Sequence, residues 1–289
     1  MDILVSGASG QLGGRIAAAL LADPSRPAVR AGVRNPVNIM SLVEAGATPT
    51  HFDYDDEDVM TAAMEGADAV VLIPTYANNA LRVIQIQYAI NAAKSAGVGH
   101  LIWCGLMASN RNSHFHVAPC LAYAEAAVRT SGLPWTILRN SVYLEPFLEW
   151  IPDLLDEQVI PYPAGYGRVS YVLRDDLARA TAAVALDPGR AGEAHDLTGP
   201  EALTYAEIAD MITRVTGRQV RYAPATDPEF VAMCSDPELP DHLPLTLMSM
   251  YHAVAAREFE PASDAIERLT GQAATGFEAA LRQFWEARQ

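Results

Sequence analysis

Seven residues near the start of the chain constrain its fold more than any others. A β-branched run, Ile3 to Ser6, leads into Gly7-Ala8-Ser9-Gly10-Gln11-Leu12-Gly13, and the helical run Arg15 to Leu21 follows. Glycine at the first, fourth and seventh places lets the backbone turn tightly. It also lets a pyrophosphate approach the free N–H groups and positive dipole end of the helix. A strand, a G-x-x-G-x-x-G turn and a helix in that order read as the opening of a βαβ unit with a dinucleotide phosphate site. Gly7, Ser9, Gly10, Gln11, Leu12 and Gly13 are therefore candidate cofactor contacts. Gly14 reads as a close-packing position only.

The alternation continues through Ala28 to Val33, Ala47 to Phe52, Ala69 to Ile73, Leu101 to Cys104 and Trp135 to Leu138, with helical stretches between. This is an α/β pattern and implies right-handed crossovers in a Rossmann-type, doubly wound parallel sheet. Val117, Leu121, Ala124 and Val128 recur at helical spacing and predict a helix that stops near Gly132. Beyond residue 145 the pattern changes to loops broken by Pro146, Pro152, Pro161 and Pro163, then to helices. Residues 1–150 are thus expected to form the dinucleotide-binding domain. Residues 151–289 are expected to form a smaller, mostly helical substrate-binding and lid part, with residues 170–200 returning to the sheet. Thr204 with Glu207, and Thr275 with Glu278, each read as a capping box, and Gly217 as a helix stop. The apolar segment from Leu239 to Val254 has no wide polar face and is expected to be covered by the core or by a ligand, in a reductase as a lid over a bulky substrate.

Charge and cysteine usage narrow the partners. A net charge of −15 repels a phosphate backbone or an anionic membrane, so neither nucleic acid nor lipid is expected. Cys104, Cys120 and Cys234 are odd in number and form no C-x-x-C pair, against a disulfide framework or a thiolate metal site. No apolar run approaches the roughly 18 residues of a membrane span, and the first strand begins at Asp2 without a signal segment ahead of it. A cytoplasmic protein without a metal is expected, either monomer or homodimer.

The end of the second strand, Val33-Arg34-Asn35-Pro36, offers arginine where an NAD-preferring protein usually carries an acidic residue. A guanidinium fork matches a 2′-phosphate, so Arg34 favours NADP(H). After the third strand, Asp53 and Tyr54 are expected over the adenine, although an acidic helix-capping turn explains them as well.

These segments, with Ala92-Ala93-Lys94-Ser95-Ala96-Gly97-Val98 and Leu138-Arg139-Asn140, fall in the order and spacing of a known group. The chain resembles the NmrA-like atypical short-chain dehydrogenase/reductases over nearly its whole length. Within that group it is most similar to the bacterial NADPH-dependent quinone oxidoreductases and the triphenylmethane reductase. The resemblance implies the glycine loop on the pyrophosphate, Arg34 on the 2′-phosphate and a substrate cleft between the two parts. It weakens over residues 104–122 and 225–260, so it implies no particular substrate.

In that superfamily a Ser or Thr after the fifth strand and a Tyr-x-x-x-Lys on the next helix supply the proton. Here the fifth strand ends Trp103-Cys104-Gly105, Tyr123 is followed four residues later by Ala127, and no lysine lies beyond Lys94. The loop from Met107 to Ala118 instead carries His114 and His116, candidate proton donors because histidine titrates near neutrality. Asn140, Ser141 and Tyr143 follow the sixth strand, where they either flank the nicotinamide and substrate or cap the next helix. The expected function is an NADPH-dependent reductase acting on a quinone or ketone of a small-molecule aromatic or polyketide-like substrate. The alternative is a non-catalytic NADP(H)-sensing regulatory protein. Epimerase or dehydratase chemistry normally needs the missing base and ranks below both.

Overall fold

Parallel strands need long crossovers, and the spacing of the apolar runs supplies them. The computed structural model describes residues 1–235 and 240–288. Its first part runs β1 (Asp2–Ser6), α1 (Gln11–Leu21), β2 (Ala28–Val33), α2 (Met40–Glu44), β3 (Thr48–His51), α3 (Glu57–Met64), β4 (Ala69–Leu72), α4 (Asn79–Ser95), β5 (His100–Leu106), α5 (Ala118–Arg129) and β6 (Trp135–Asn140). There follow α6 (Glu145–Glu149), α7 (Ile151–Glu157), β7 (Val159–Ile160), β8 (Arg168–Val169), α8 (Arg174–Ala185), β9 (Ala194–Leu197) and β10 (Leu203–Thr204). The chain closes with α9 (Tyr205–Thr216), β11 (Arg221–Tyr222), α10 (Asp227–Cys234), α11 (Leu243–Ala255), α12 (Ala265–Thr270) and α13 (Phe277–Glu286).

Seven strands pair in parallel in the order β3-β2-β1-β4-β5-β6-β9. The chain therefore does return to the sheet after its excursion, through α8 and β9. Successive residues of β1 serve opposite faces: Ile3 and Val5 meet Ile16, Leu20 and Leu177, whereas Leu4 meets Met60, Met64 and Ile90. A strand covered on both faces is apolar on both, which is why its centre, Ile3-Leu4-Val5, reads as an unbroken apolar run. Each such side chain contributes about 1.5–3 kcal/mol by burial. The order of strands reverses between β1 and β4, and the crevice at their carboxyl ends is where open α/β sheets bind ligands.

The later elements enclose an aromatic interior of Phe147, Tyr162, Tyr171, Tyr205, Phe230 and Tyr251. Tyr162 stacks on Tyr251 with centroids 4.6 Å apart, and the Tyr171 and Tyr205 hydroxyls satisfy each other at 2.7 Å. Thr204 and Glu207 form the expected capping box at the start of α9, and Gly217 ends that helix in the left-handed conformation.

Two expectations need correction. Thr275 caps nothing: its N–H donates to Asp176 Oδ2 at 2.6 Å, Gly276 takes the N-cap of α13, and the Phe277 N–H donates to Glu201 Oε1 at 3.0 Å. Carboxylates distant in sequence do the work that the local pattern assigned to Thr275. The apolar helix α11 is also less a lid than its sequence suggests. Tyr251, Ala253 and Val254 are buried, and of its large apolar side chains Leu245, in the first turn, is 48% exposed. Leu239, where the expected lid begins, lies outside the described residues.

At the opposite edge of the sheet from the crevice, His100 is buried at the start of β5. The single hydroxyl proton of Thr136 goes to the Arg190 carbonyl at 2.7 Å, so the 2.8 Å contact between His100 Nε2 and Thr136 Oγ1 has the imidazole as donor. Nδ1 has no partner. Burial lowers the His100 pKa, with the Asp187 charge opposing. The unfolded chain therefore binds the extra proton more readily, and stability falls as pH drops below the ordinary histidine value of 6.5. Melting temperature followed from about pH 8 to about pH 5 should decline on the acid side, and His100→Gln should flatten that decline.

Candidate cofactor and active site

The site starts at the turn between β1 and α1. Gly7 takes a left-handed φ of +61°, and its carbonyl accepts the Gly10 N–H at 2.8 Å. A side chain on Gly13 would place its Cβ 2.3 Å from the Gly7 carbonyl oxygen, so helix and loop can approach this closely only with glycine there. Below this contact Leu12, Ile16, Ala17 and Leu20 bury one face of α1. Its N-cap is Gly10, with no side-chain cap and no acidic residue in the first turn. The first-turn N–H donors are thus left for a ligand, and the dipole favours an anionic one. Ser9 and Gln11 are exposed beside them, and Gln11 Oε1 accepts from Arg15 at 2.8 Å.

Arg34 stands exposed at the end of β2 and has no ion-pair partner among the described residues. Asn35 next to it caps the following turn through Val37 N–H. Asp53 accepts from the Asp55 N–H at 3.1 Å, and the true cap of α3 is Asp56, which accepts from Val59. Tyr54 points inward: its hydroxyl donates to the Ile73 carbonyl at 2.7 Å and lies 2.9 Å from Ser6 Oγ, which also accepts the Ile73 N–H. Burial pushes this phenol up. Tyr54 therefore ties the ends of β1 and β4 together beneath the crevice.

The far end of the crevice is built by β5 and β6. Leu106 pairs with Asn140, and the Met107 N–H donates to the Asn140 carbonyl at 2.8 Å. Asn140 is 1% exposed, and its Oδ1 is buried without a hydrogen-bond partner. Such an atom costs about 1–3 kcal/mol unless a ligand supplies a donor. Its amide donates weakly to the Tyr143 hydroxyl, at 3.4 Å. Burial, opposed by that contact, pushes the Tyr143 phenol up to about 12, while Arg174 lies 4.6 Å over its ring. Ser141 is fully buried against Ser170, Oγ to Oγ 3.1 Å. None of the three caps the next helix, because the N-cap of α6 is Leu144 and it makes no side-chain cap.

The loop between β5 and α5 separates the two histidines. His114 is 60% exposed on its side chain, and its Nδ1 lies 3.0 Å from Glu258 Oε1. Phe115 is buried, and the exposed His116 is fixed through its backbone, its N–H on Ser249 Oγ and its carbonyl on Asn79. Tyr123 is not brought to this edge. Glu125 holds α5 against β6 through a bidentate pair with Arg139 at 2.8 and 2.7 Å, and a residue two places away points about 200° around the helix. The Tyr123 hydroxyl accordingly donates to Gln87 on α4 at 2.6 Å. Sequence reasoning missed Glu258 and Ser6, whose partners lie far along the chain.

The chain is similar to known proteins over nearly its whole length. A family model described as the NmrA-like family matches residues 1–284. Quinone oxidoreductase 2 of Escherichia coli is 32% identical over 241 residues, covering 83% of this chain and 84% of that protein. A crystal structure of the E. coli NADPH-dependent quinone oxidoreductase complexed with NADPH superposes with a TM-score of 0.91 at 29% identity, covering 98% of this chain and 99% of that one. The Citrobacter sp. triphenylmethane reductase complexed with NADP(H) gives a TM-score of 0.89 at 28% identity, covering 98% and 100%. A Staphylococcus aureus protein described as a nucleoside-diphosphate-sugar epimerase gives 0.92 at 29% identity, covering 98% and 100%.

The Gly13 contact has a direct test. Gly13→Ala forces the helix away from the loop, so its melting temperature should fall, and dinucleotide affinity measured by titration should drop at least about tenfold. Unchanged affinity in a folded Gly13→Ala protein contradicts a phosphate site on this turn.

Proposed function

The chain belongs to the NmrA-like family, and on that premise we propose that it is an NADPH-dependent reductase of quinone or ketone groups on bulky, conjugated acceptors. The observation that carries this reading is the uncapped first turn of α1, set behind a glycine turn whose Gly13 has no room for a side chain. Backbone donors without partners at a helix N-terminus favour a pyrophosphate, and the unengaged Arg34 supplies a fork for a 2′-phosphate. The orphaned Asn140 Oδ1 accepts a donor from the nicotinamide end. When bound, the reduced nicotinamide supplies the hydride. The E. coli relative, a quinone oxidoreductase whose structure was solved with NADPH, supports carrying this chemistry to the chain.

The protein's own groups then bind, orient and protonate. The Tyr143 phenol, held protonated by burial, accepts from Asn140 and has its own proton free to polarise an acceptor oxygen. His114 or His116, on the loop after β5, supplies the proton, and Phe115 between them helps exclude water. A tyrosine activated by lysine plays no part, since Tyr123 is engaged by Gln87 and the sole lysine, Lys94, precedes β5. That same lack tells against sugar-nucleotide epimerisation, which needs such a base. The first turns of α11 are the part of that helix left to fold over a flat acceptor.

NADPH should bind at least tenfold more tightly than NADH, or about 1.4 kcal/mol, and Arg34→Ala should remove most of the difference. Equal affinities in calorimetry contradict the role of Arg34. Turnover with quinones and conjugated ketones, followed by loss of reduced nicotinamide absorbance, should survive Tyr123→Phe within about threefold, whereas loss of a true general acid costs about a hundredfold or more. Tight NADPH binding with no turnover on any acceptor instead supports an NADP(H)-sensing protein.

A further inference from the structure

Glu258 belongs to no element of the dinucleotide site, yet it makes the most specific side-chain contact with the loop after β5. One carboxylate oxygen, Oε1, accepts both the His114 backbone N–H at 2.8 Å and the His114 ring at Nδ1, 3.0 Å away. The carboxylate is only 14% exposed, and its second oxygen, Oε2, is buried without a partner. Arg257, just before it, is held at a left-handed φ of +65°, and the Glu258 N–H donates to the Ala253 carbonyl at 2.9 Å. Backbone strain of this kind persists only where surrounding contacts impose it.

Both chain segments that carry the pair are pinned to the end of β6. On one side the Met107 N–H is bonded to the Asn140 carbonyl. On the other, the Phe259 carbonyl accepts the Ser170 N–H at 3.0 Å and Ser170 Oγ at 3.1 Å, and Ser170 Oγ meets Ser141 Oγ. Phe115 and Phe259 also pack edge to face, with centroids 6.3 Å apart. Through Met107 and Phe259, the segments that lead to the pair are thus tied to the end of β6.

We propose that Glu258 is the positioning residue of His114, fixing the proton on Nδ1 and leaving Nε2 as the ring atom that delivers a proton to the reduced acceptor. This rests on the reductase reading above. Burial pushes the Glu258 carboxyl up, but hydrogen bonds at the carboxylate, those from the His114 backbone and ring among them, outweigh it and hold the carboxyl below the usual range. An ionised carboxylate only accepts, so Nδ1 must carry the hydrogen between them. Nε2 has no partner among the described residues. In the step itself the Nε2–H bond of the protonated ring breaks and an O–H bond forms on the acceptor oxygen. The electron pair of the broken bond stays on Nε2, the Nδ1–H stays on Glu258, and solvent restores the proton. The hydride that balances the reduction comes from the reduced dinucleotide.

Two readouts test the proposal separately. Nitrogen-15 spectra of the His114 ring, taken where the ring is neutral, should show Nδ1 protonated in the unmodified protein. Glu258→Ala should release the other tautomer, and Glu258→Gln, whose amide oxygen can still accept, should restore the first. In steady-state assays with NADPH and a quinone, Glu258→Ala should lower kcat at least about tenfold with the KM for NADPH within about twofold, and Glu258→Gln should recover part of the loss. An unchanged tautomer or an unchanged kcat in Glu258→Ala overturns the proposal. A tautomer that follows the substitutions in a protein that reduces no acceptor supports the pairing and defeats the reductase reading instead.

Discussion

The approach of α1 to the loop before it sets the geometry on which the other parts of the site depend. Helix and loop meet so closely that a Cβ on Gly13 would lie 2.3 Å from the Gly7 carbonyl oxygen. That contact aims the first turn of the helix over the crevice, and the absence of a side-chain cap leaves its donors unspent. A capped helix would be more stable by about 1 kcal/mol. At this helix end an anion can supply the stabilisation that a cap would give.

The same edge is organised by two further constraints. Ser6, Tyr54 and Ile73 lock the ends of β1 and β4, giving the crevice a rigid floor. Asn140 takes Met107 on its backbone and leaves Oδ1 unsatisfied, so the far end of the crevice carries a buried acceptor in want of a donor. Floor, phosphate turn and acceptor all belong to the parallel sheet. The groups with acid–base character instead sit on the loop after β5, held from the side by Glu258 and Ser249. On the proposed reading, binding and proton chemistry are thus carried by different structural units.

The frame was legible because its causes are local. Unbroken β-branched runs report burial on both faces, glycine spacing reports the turn, and Thr204 with Glu207 reports a helix start three residues wide. The return of the chain through β9 carries no such signal, since Ala194-His195-Asp196-Leu197 holds no β-branched residue. The Thr275 pattern misled because its own N–H goes to Asp176 and the Phe277 N–H to Glu201, carboxylates that only the tertiary fold brings near. The short strands β7, β8, β10 and β11 carry two residues each and have no periodicity to detect. Glu258 was invisible for a related reason, lying 144 residues from His114 with nothing in its neighbourhood to mark it. On α11 the apolar pattern identified a covered helix but could not tell a lid from the core that buries Tyr251, Ala253 and Val254.

The most direct measurement of the central claim is a crystal structure of the protein grown with NADP⁺. The account predicts the pyrophosphate on the first-turn N–H groups of α1, the 2′-phosphate on Arg34, and a nicotinamide-end donor within hydrogen-bond distance of Asn140 Oδ1. A dinucleotide bound away from the glycine turn, or seated on it with Asn140 Oδ1 still lacking a partner, would contradict the account.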